Sequence, residues 1–373
     1  MKALVLNDIN DIKVKESEKP EIKPNEVLVK VKACGICGSD IPRSFKNGAH
    51  KMPLILGHEF AGEIVECGDE VASWMFDASD YIGKRVGVFP LIPCCDCKPC
   101  SEGKFELCRN YNYLGSRCDG GFAEYVAVPG ENIIELPEDV SYEDAAMLEP
   151  TAVAIHAIRQ TGIFDESLPV VLDSAQDEQQ NRKKPSAAVC GLGTIGLLVS
   201  MHLINLSDGE VYVIANRAIQ KEKALSLGIK EENIYMGQTQ SAAKWLMEKT
   251  AGNGVDAFFE CVGKNETVNI GLEATAPAGH IVLVGNPYSD MSLERDIYWK
   301  ILRNQLTIHG TWNSSFNGNF NDDWHFCLDE MAKGNIKPSK LISHRYSLSD
   351  ITKGFEIMRD KSEDYIKIMC TMS

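Results

Sequence analysis

The hydrophobic pattern changes character along the chain. Up to about residue 150, short valine-rich stretches lie between glycine turns: 26–37 (EVLVKVKACGIC), 59–68 (EFAGEIVECG), 85–89 (RVGVF) and 120–128 (GGFAEYVAV). Partial alternation of this kind predicts short strands and irregular β structure. From Ser141 the segment SYEDAAMLEPTAVAIHAIRQTG reads as helix, and its Ser-x-x-Asp start suits an N-terminal cap. Residues 165–186 are mostly polar, contain two prolines and read as a surface loop or linker. Beyond them, apolar runs at 187–191, 210–216, 256–263 and 279–286 alternate with helix-like segments at 194–206, 218–228, 240–251 and 265–276. Such alternation predicts an α/β fold with a doubly wound parallel sheet, covered on both faces. Residues 305–312 (QLTIHGTW) add a last strand, and the tail from Asn321 returns to mixed helix and strand. No internal repeat or low-complexity run interrupts this order.

At 373 residues the chain suits two domains rather than one. Its 38 Lys and Arg against 53 Asp and Glu give a net charge of −15. That balance argues against nucleic acid or an anionic membrane surface as partner. The opening MKALVLNDIN reaches Asp8 before any usable apolar run, so no export segment is expected. Residues 187–206 contain no Asp, Glu, Lys or Arg, and their length would allow a membrane span. Three early glycines, His202 and Asn205 favour a buried strand, a tight turn and a buried helix instead. Thirteen cysteines, five of them between Cys94 and Cys108, point to thiols and metal rather than a disulfide framework. A reducing cytoplasm is the expected location.

The densest chemistry is Cys94-x-x-Cys97-x-x-Cys100 followed by Cys108. Four thiolates satisfy a tetrahedral zinc and leave no open position, so such an ion is structural. The competing reading is a loop of free thiols. Cys95 breaks the register and is read as a bystander. A second group is Cys37, Ser39 and Asp40 in GICGSD, followed by His58 and Glu59 in GHEF. Each piece alone is weak, because a His beside a Glu is commonly a hydrogen-bonded pair. Their order ahead of the four-cysteine lobe carries more weight. Glu149 stands in the apolar segment LEPTAV, where a buried carboxylate would need a partner, unless it is a helix-start acid facing solvent. Finally, Gly191-x-Gly193-x-x-Gly196, with Thr194 and Ile195 inside it, falls between a predicted strand and a predicted helix. There the glycines permit a tight turn and close approach of a pyrophosphate to the helix N-terminus.

In this order the motifs resemble the zinc-containing medium-chain alcohol and polyol dehydrogenases, over nearly the whole chain. Within that family, GSDIPRSFKNGAHKMPLILGHEF, GSRCDGGFAEYV and KILRNQLTIHGTW resemble the branch that acts on galactitol 1-phosphate. The resemblance implies a discontinuous, mainly β, GroES-like catalytic domain over 1–150 and 309–373. It implies a Rossmann domain over 151–308, with the active site in the cleft at the strand carboxyl ends. It also implies a catalytic zinc on Cys37, His58 and Glu149, with Glu59 able to enter or leave the coordination shell. Asp40 would orient His58. The zinc would acidify an alcohol, Ser39 would relay its proton, and hydride would pass to the nicotinamide of NAD or NADP. A homodimer or homotetramer is expected, with 305–312 as an edge strand able to pair across a dimer.

Asn216 departs from the aspartate that NAD-preferring relatives usually place at the end of the second strand of the nucleotide domain. Asn216 cannot repel a 2′-phosphate, Arg217 can pair with one, and Lys221 lies close in sequence, which favours NADP. The galactitol-phosphate branch generally uses NAD, and Arg217 can equally be a solvated helix-start charge. For a phosphorylated substrate, Arg43, Lys46, His50 and Lys51 offer local cations, with Arg117 a further one; the alternative is an ordinary charged surface loop. The expected function is therefore hydride transfer between a nicotinamide cofactor and a secondary alcohol of a sugar-alcohol phosphate, of the galactitol 1-phosphate to tagatose 6-phosphate type. Alternatives are a dehydrogenase of a free polyol, a simple secondary alcohol or threonine. Further off are a zinc-free reductase on the same scaffold, which would lack both cysteine groups, and a zinc-stabilised redox-sensing or binding protein.

Overall fold

A computed structural model describes residues 1–71, 81–164, 184–287 and 289–373. Most of the polar 165–186 stretch thus lies outside the described residues. The chain divides into two compact units, Met1–Ala152 with Ser314–Ser373, and Val153–Asn313.

The first unit is built on a seven-stranded sheet. Its order is Ile133–Glu135, Arg85–Val88, Glu59–Cys67, Glu26–Gly35, Lys367–Thr371 and Ile342–Ser347, and Tyr125–Pro129 also pairs with Glu26–Gly35. A three-stranded sheet of Asp11–Glu16, Lys2–Asp8 and Leu54–Ile55 accompanies it. Leu4, Leu6, Val29, Phe60, Phe122, Phe355 and Ile368 belong to one apolar core. Glu26–Gly35 is the central strand, and its register sets up the site. Gly35 lies opposite Glu59 on one neighbour and opposite Met369 on the other. Cys37 follows the end of this strand, and His58 precedes the start of the next. The helix expected from Ser141 is present as two helices, Tyr142–Ala146 and Leu148–Arg159. Ser141 Oγ accepts the Asp144 amide at 3.1 Å, satisfying a donor that a helix start leaves free. Asp144 Oδ1 in turn accepts the Ser339 amide at 2.8 Å, tying the N-terminal and C-terminal parts of this unit together.

The second unit carries a six-stranded, wholly parallel sheet. Taken in space, the strands are Ile234–Tyr235, Val211–Ile214, Ala187–Cys190, Val255–Glu260, Thr275–Leu283 and Thr307–Gly310. In chain order that is 3-2-1-4-5-6, the dinucleotide-binding arrangement, whose order reverses beside the first strand. Ala187–Cys190 is buried throughout, as a central parallel strand must be. Helix Thr194–Leu206 follows, so the charge-free 187–206 run is a strand, a turn and a helix. No helix among the described residues is long and apolar enough to cross a membrane. The helix expected over 265–276 ends at Ala274, and the next strand starts at Thr275, earlier than the apolar run suggested.

Candidate active site and metal centres

The four-cysteine loop is closed at its base by a two-residue ladder, Leu91 opposite Tyr113 and Ile92 opposite Asn112. Cys94, Cys97, Cys100 and Cys108 bring their sulfurs within 4.8 Å of one another. Cys97 Sγ lies 3.5 Å from Cys100 Sγ and 3.9 Å from Cys108 Sγ. Zinc–sulfur bonds of about 2.3 Å put tetrahedral sulfurs about 3.8 Å apart, so the cluster fits zinc. It does not fit disulfides, and all thirteen cysteines are free. The backbone prepares the thiolates. The Cys94 amide donates to Cys108 Sγ at 3.2 Å and the Arg109 amide to Cys97 Sγ at 3.5 Å. The Arg109 amide, with that of Cys100, lowers the Cys97 pKa to about 6. Burial, by contrast, lifts Cys100 to about 12, a proton that an incoming cation would have to displace. Cys95 stands outside the set, exposed and in a left-handed conformation.

A second donor group gathers Cys37, His58 and Glu59, again with ligand atoms within 4.8 Å. Thiolate, imidazole and carboxylate together suit zinc and leave a coordination position open. His58 and Glu59 are buried, and Asp40 beneath them is fully so. His58 Nδ1 faces Asp40 Oδ1 at 3.6 Å and makes no hydrogen bond, an orphaned polar atom in the interior. Burial pulls His58 down, but the charges of Asp40 and Cys37 outweigh it and raise its pKa to about 10. The pocket therefore holds excess negative charge that a cation would neutralise. Asp40 also accepts the Cys37 amide at 3.0 Å and the Arg43 guanidinium at 2.6 Å. Ser39 Oγ lies 3.3 Å from Cys37 Sγ.

Two groups complete this centre that sequence reasoning missed. Lys367, 2% exposed, forms an ion pair with Glu59 and donates to the Ile36 carbonyl at 3.0 Å. Burial pulls the ammonium down and the Glu59 charge more than restores it. Gly35 makes the room, because a Cβ there would sit 2.3 Å from Glu59 Oε2 and 2.7 Å from Lys367 Cε. The second group is Tyr113, whose hydroxyl donates to Glu149 Oε1 at 3.0 Å and whose ring lies edge-on to His58 at 5.8 Å. Glu149 is thus partnered rather than free. Burial pushes its pKa up, His58 pulls it back and Glu59 raises it again, to about 7. The close three-ligand group contains Glu59; Glu149 stands beside it, on Tyr113.

The suggested phosphate cations differ in what holds them. Arg43 is engaged by Asp40, while Lys46, His50 and Lys51 are exposed on the following segment. Arg117 lies over the Tyr111 ring at 4.4 Å. In the nucleotide unit, Gly191, Gly193 and Gly196 occupy the turn between the first strand and helix Thr194–Leu206, with Thr194 and Ile195 opening that helix. Gly191 has φ of +92°, and a Cβ on Gly196 would lie 2.0 Å from the Gly191 carbonyl oxygen. A Cβ on Gly193 would meet nothing within 4 Å, which leaves the helix N-terminus open to a phosphate. Asn216 is exposed beyond the second strand, and its amide and that of Arg217 donate to Gln220 Oε1. Lys221 pairs with Glu231 at 2.7 Å, so its charge is directed at that neighbour.

Residues 23–138 match the family model for the alcohol dehydrogenase GroES-like domain, and residues 194–333 that for zinc-binding dehydrogenase. Galactitol 1-phosphate 5-dehydrogenase of Escherichia coli (strain K12) is 32% identical over 354 residues, 95% of each chain. L-idonate 5-dehydrogenase of Vitis vinifera is 30% identical, covering 97% of this chain and 92% of that one. The crystal structure of galactitol-1-phosphate dehydrogenase from Escherichia coli superposes with a TM-score of 0.85 at 30% identity, over 100% of both chains. A protein of Sinorhizobium meliloti 1021 assigned to the zinc-binding dehydrogenases, with NADP bound, superposes at 0.83 and 27% identity, over 100% and 99% of the two chains. These likenesses leave no place for a non-catalytic zinc protein. The order of motifs, the two folds that carry them and the relatives agree, and the chain belongs to the zinc-containing medium-chain alcohol and polyol dehydrogenases, as a zinc- and nicotinamide-dependent oxidoreductase.

Proposed function

We propose that this enzyme transfers hydride between a nicotinamide cofactor and a secondary alcohol of a sugar-alcohol phosphate, of the galactitol 1-phosphate type. The observation that carries the reading is the gathering of Cys37, His58 and Glu59, the last two buried, with Glu149 beside them on Tyr113, in a chain 32% identical to a galactitol 1-phosphate 5-dehydrogenase over 95% of its length. When bound, a catalytic zinc supplies Lewis acidity and the nicotinamide supplies hydride chemistry. The chain does the rest. Cys37, His58 and Glu149 hold the ion, with Glu59 in reserve on Lys367. Asp40 fixes the His58 ring, and the Ser39 hydroxyl carries the alcohol proton away. A second, structural zinc belongs to Cys94, Cys97, Cys100 and Cys108. Residues 1–150 with 309–373 act as the catalytic domain, and 151–308 bind the dinucleotide through Gly191, Gly193, Thr194, Ile195 and Gly196.

Arg43 being engaged by Asp40 favours a second reading, a free polyol or a sugar acid such as idonate. A panel of hexitol phosphates, pentitol phosphates and free polyols separates the two. Phosphate recognition predicts that Lys46→Ala raises KM for the phosphorylated substrate far more than for its free polyol; equal effects discard it. For the cofactor, exposed Asn216 beside Arg217 supports NADP. Arg217→Ala should then lower kcat/KM for NADPH about 10-fold and leave NADH unchanged, on the scale of a lost charge-assisted contact. A strong NAD preference insensitive to that change ends the idea.

We also propose that two copies associate through the nucleotide unit. Support comes from its edge strand, Thr307–Gly310, which among the described residues has a neighbour on one side only, and from exposed Ile308, Trp312, Trp299 and Leu302. A cytoplasmic location is supported by the thirteen free thiols.

A further inference from the structure

Tyr113 belongs to two structures at once. Its backbone lies in the ladder that closes the four-cysteine lobe, opposite Leu91. Its carbonyl accepts the amides of Ser116, Arg117 and Cys118 at 3.2, 2.8 and 3.2 Å, and the next residue, Leu114, donates to the Pro90 carbonyl at 2.9 Å. The main chain at this point is therefore fixed from both sides. Its side chain leaves the lobe and reaches Glu149, 36 positions away in sequence, with the ring against His58.

We propose that Tyr113 is a positioning residue for the catalytic metal: the base of the four-cysteine lobe holds its phenol where it orients the Glu149 carboxylate. The inference rests on Glu149 being a zinc ligand. A glutamate side chain has three free torsions, and ordering it at a metal costs rotamer entropy. A donor on Oε1 meets that cost before any ion arrives and leaves Oε2 for the ion. Partners of this kind are typically worth about 10–100-fold in metal affinity. The lobe then serves more than its own stability, because its base carries the group that arranges the other centre.

Tyr113→Phe keeps the ring and removes only the hydroxyl. In the zinc-loaded enzyme we expect the catalytic zinc to pass to a chelator about 10–100-fold faster. The four-cysteine zinc and the Tm should stay as in the wild type. With cobalt in the catalytic site, the visible spectrum should shift, and kcat should fall more than KM changes. Adding Tyr113→Phe to Glu149→Gln should produce no further change in release rate, since the phenol acts through the carboxylate. A Tyr113→Phe enzyme with wild-type release and spectrum, alongside a Glu149→Gln enzyme that loses zinc quickly, overturns the positioning role and spares the ligand assignment. A Glu149→Gln enzyme that keeps its zinc as the wild type does removes the ligand assignment, and the inference with it. Loss of both zinc ions together, or a large fall in Tm, would mean that the hydroxyl only supports the fold, which also overturns the proposal.

Discussion

Lys367 carries a charge into the interior because Glu59 meets it there, in a notch that only glycine at position 35 leaves open. Removing one partner strands the other, which costs about 3–5 kcal/mol for a buried pair. Lys367→Met should therefore lower stability by roughly that amount in urea unfolding. Gly35→Ala should act in the same direction without removing either charge, because its methyl would push into the pair. Legibility at this scale follows distance along the chain. The four cysteines span fifteen residues and announce a metal by spacing alone. Cys37 and His58 needed motif order as well. Lys367 and Tyr113 gave no signal, since an isolated lysine or tyrosine looks the same whether solvated or buried. Each is defined by a partner, 308 positions away for Lys367 and 36 for Tyr113.

Elements were easier to read than the contacts between them. Helix Thr194–Leu206 matches the expected 194–206 because a glycine turn fixes its start. Gly196→Ala would drive a methyl into the Gly191 carbonyl, and it should abolish dinucleotide binding in calorimetry while leaving the four-cysteine zinc in place. Ser141 was legible as a cap, and Ser141→Ala should cost about 1 kcal/mol, read as a small fall in Tm. The break after Ala146 was not legible, because LEPTAV continues the helical composition without a glycine to mark an end. Glu260 was missed for a related reason. It ends an apolar strand, and its carboxylate accepts the Val262 and Gly263 amides and the Thr267 hydroxyl, partners that turn geometry alone supplies.

For the whole molecule, the nucleotide unit holds a pH-sensitive contact. His280 Nδ1 and His309 Nε2 lie 2.9 Å apart on neighbouring strands. Burial, and for His280 also the charge of its neighbour, lowers both pKa values from 6.5. The unfolded chain then binds protons that the folded one refuses, so stability should be lost as pH falls below 6.5. Melting between about pH 7.5 and about pH 5.5 should show the loss, and His309→Gln should flatten it. The proposed dimer makes a separate demand. Ile308→Asp should yield a smaller species in sedimentation, with the four-cysteine zinc retained.

The last strand, Lys367–Thr371, inserts between Glu26–Gly35 and Ile342–Ser347, and it brings Lys367 to a carbonyl 331 residues earlier. Cys37, His58 and Glu59 leave the ribosome long before that strand does, with the entire nucleotide unit made in between. Until then Glu59 has no ammonium to answer it. The reactive centre is in this sense closed by a late strand, and the step that completes it waits until the nucleotide unit has been made.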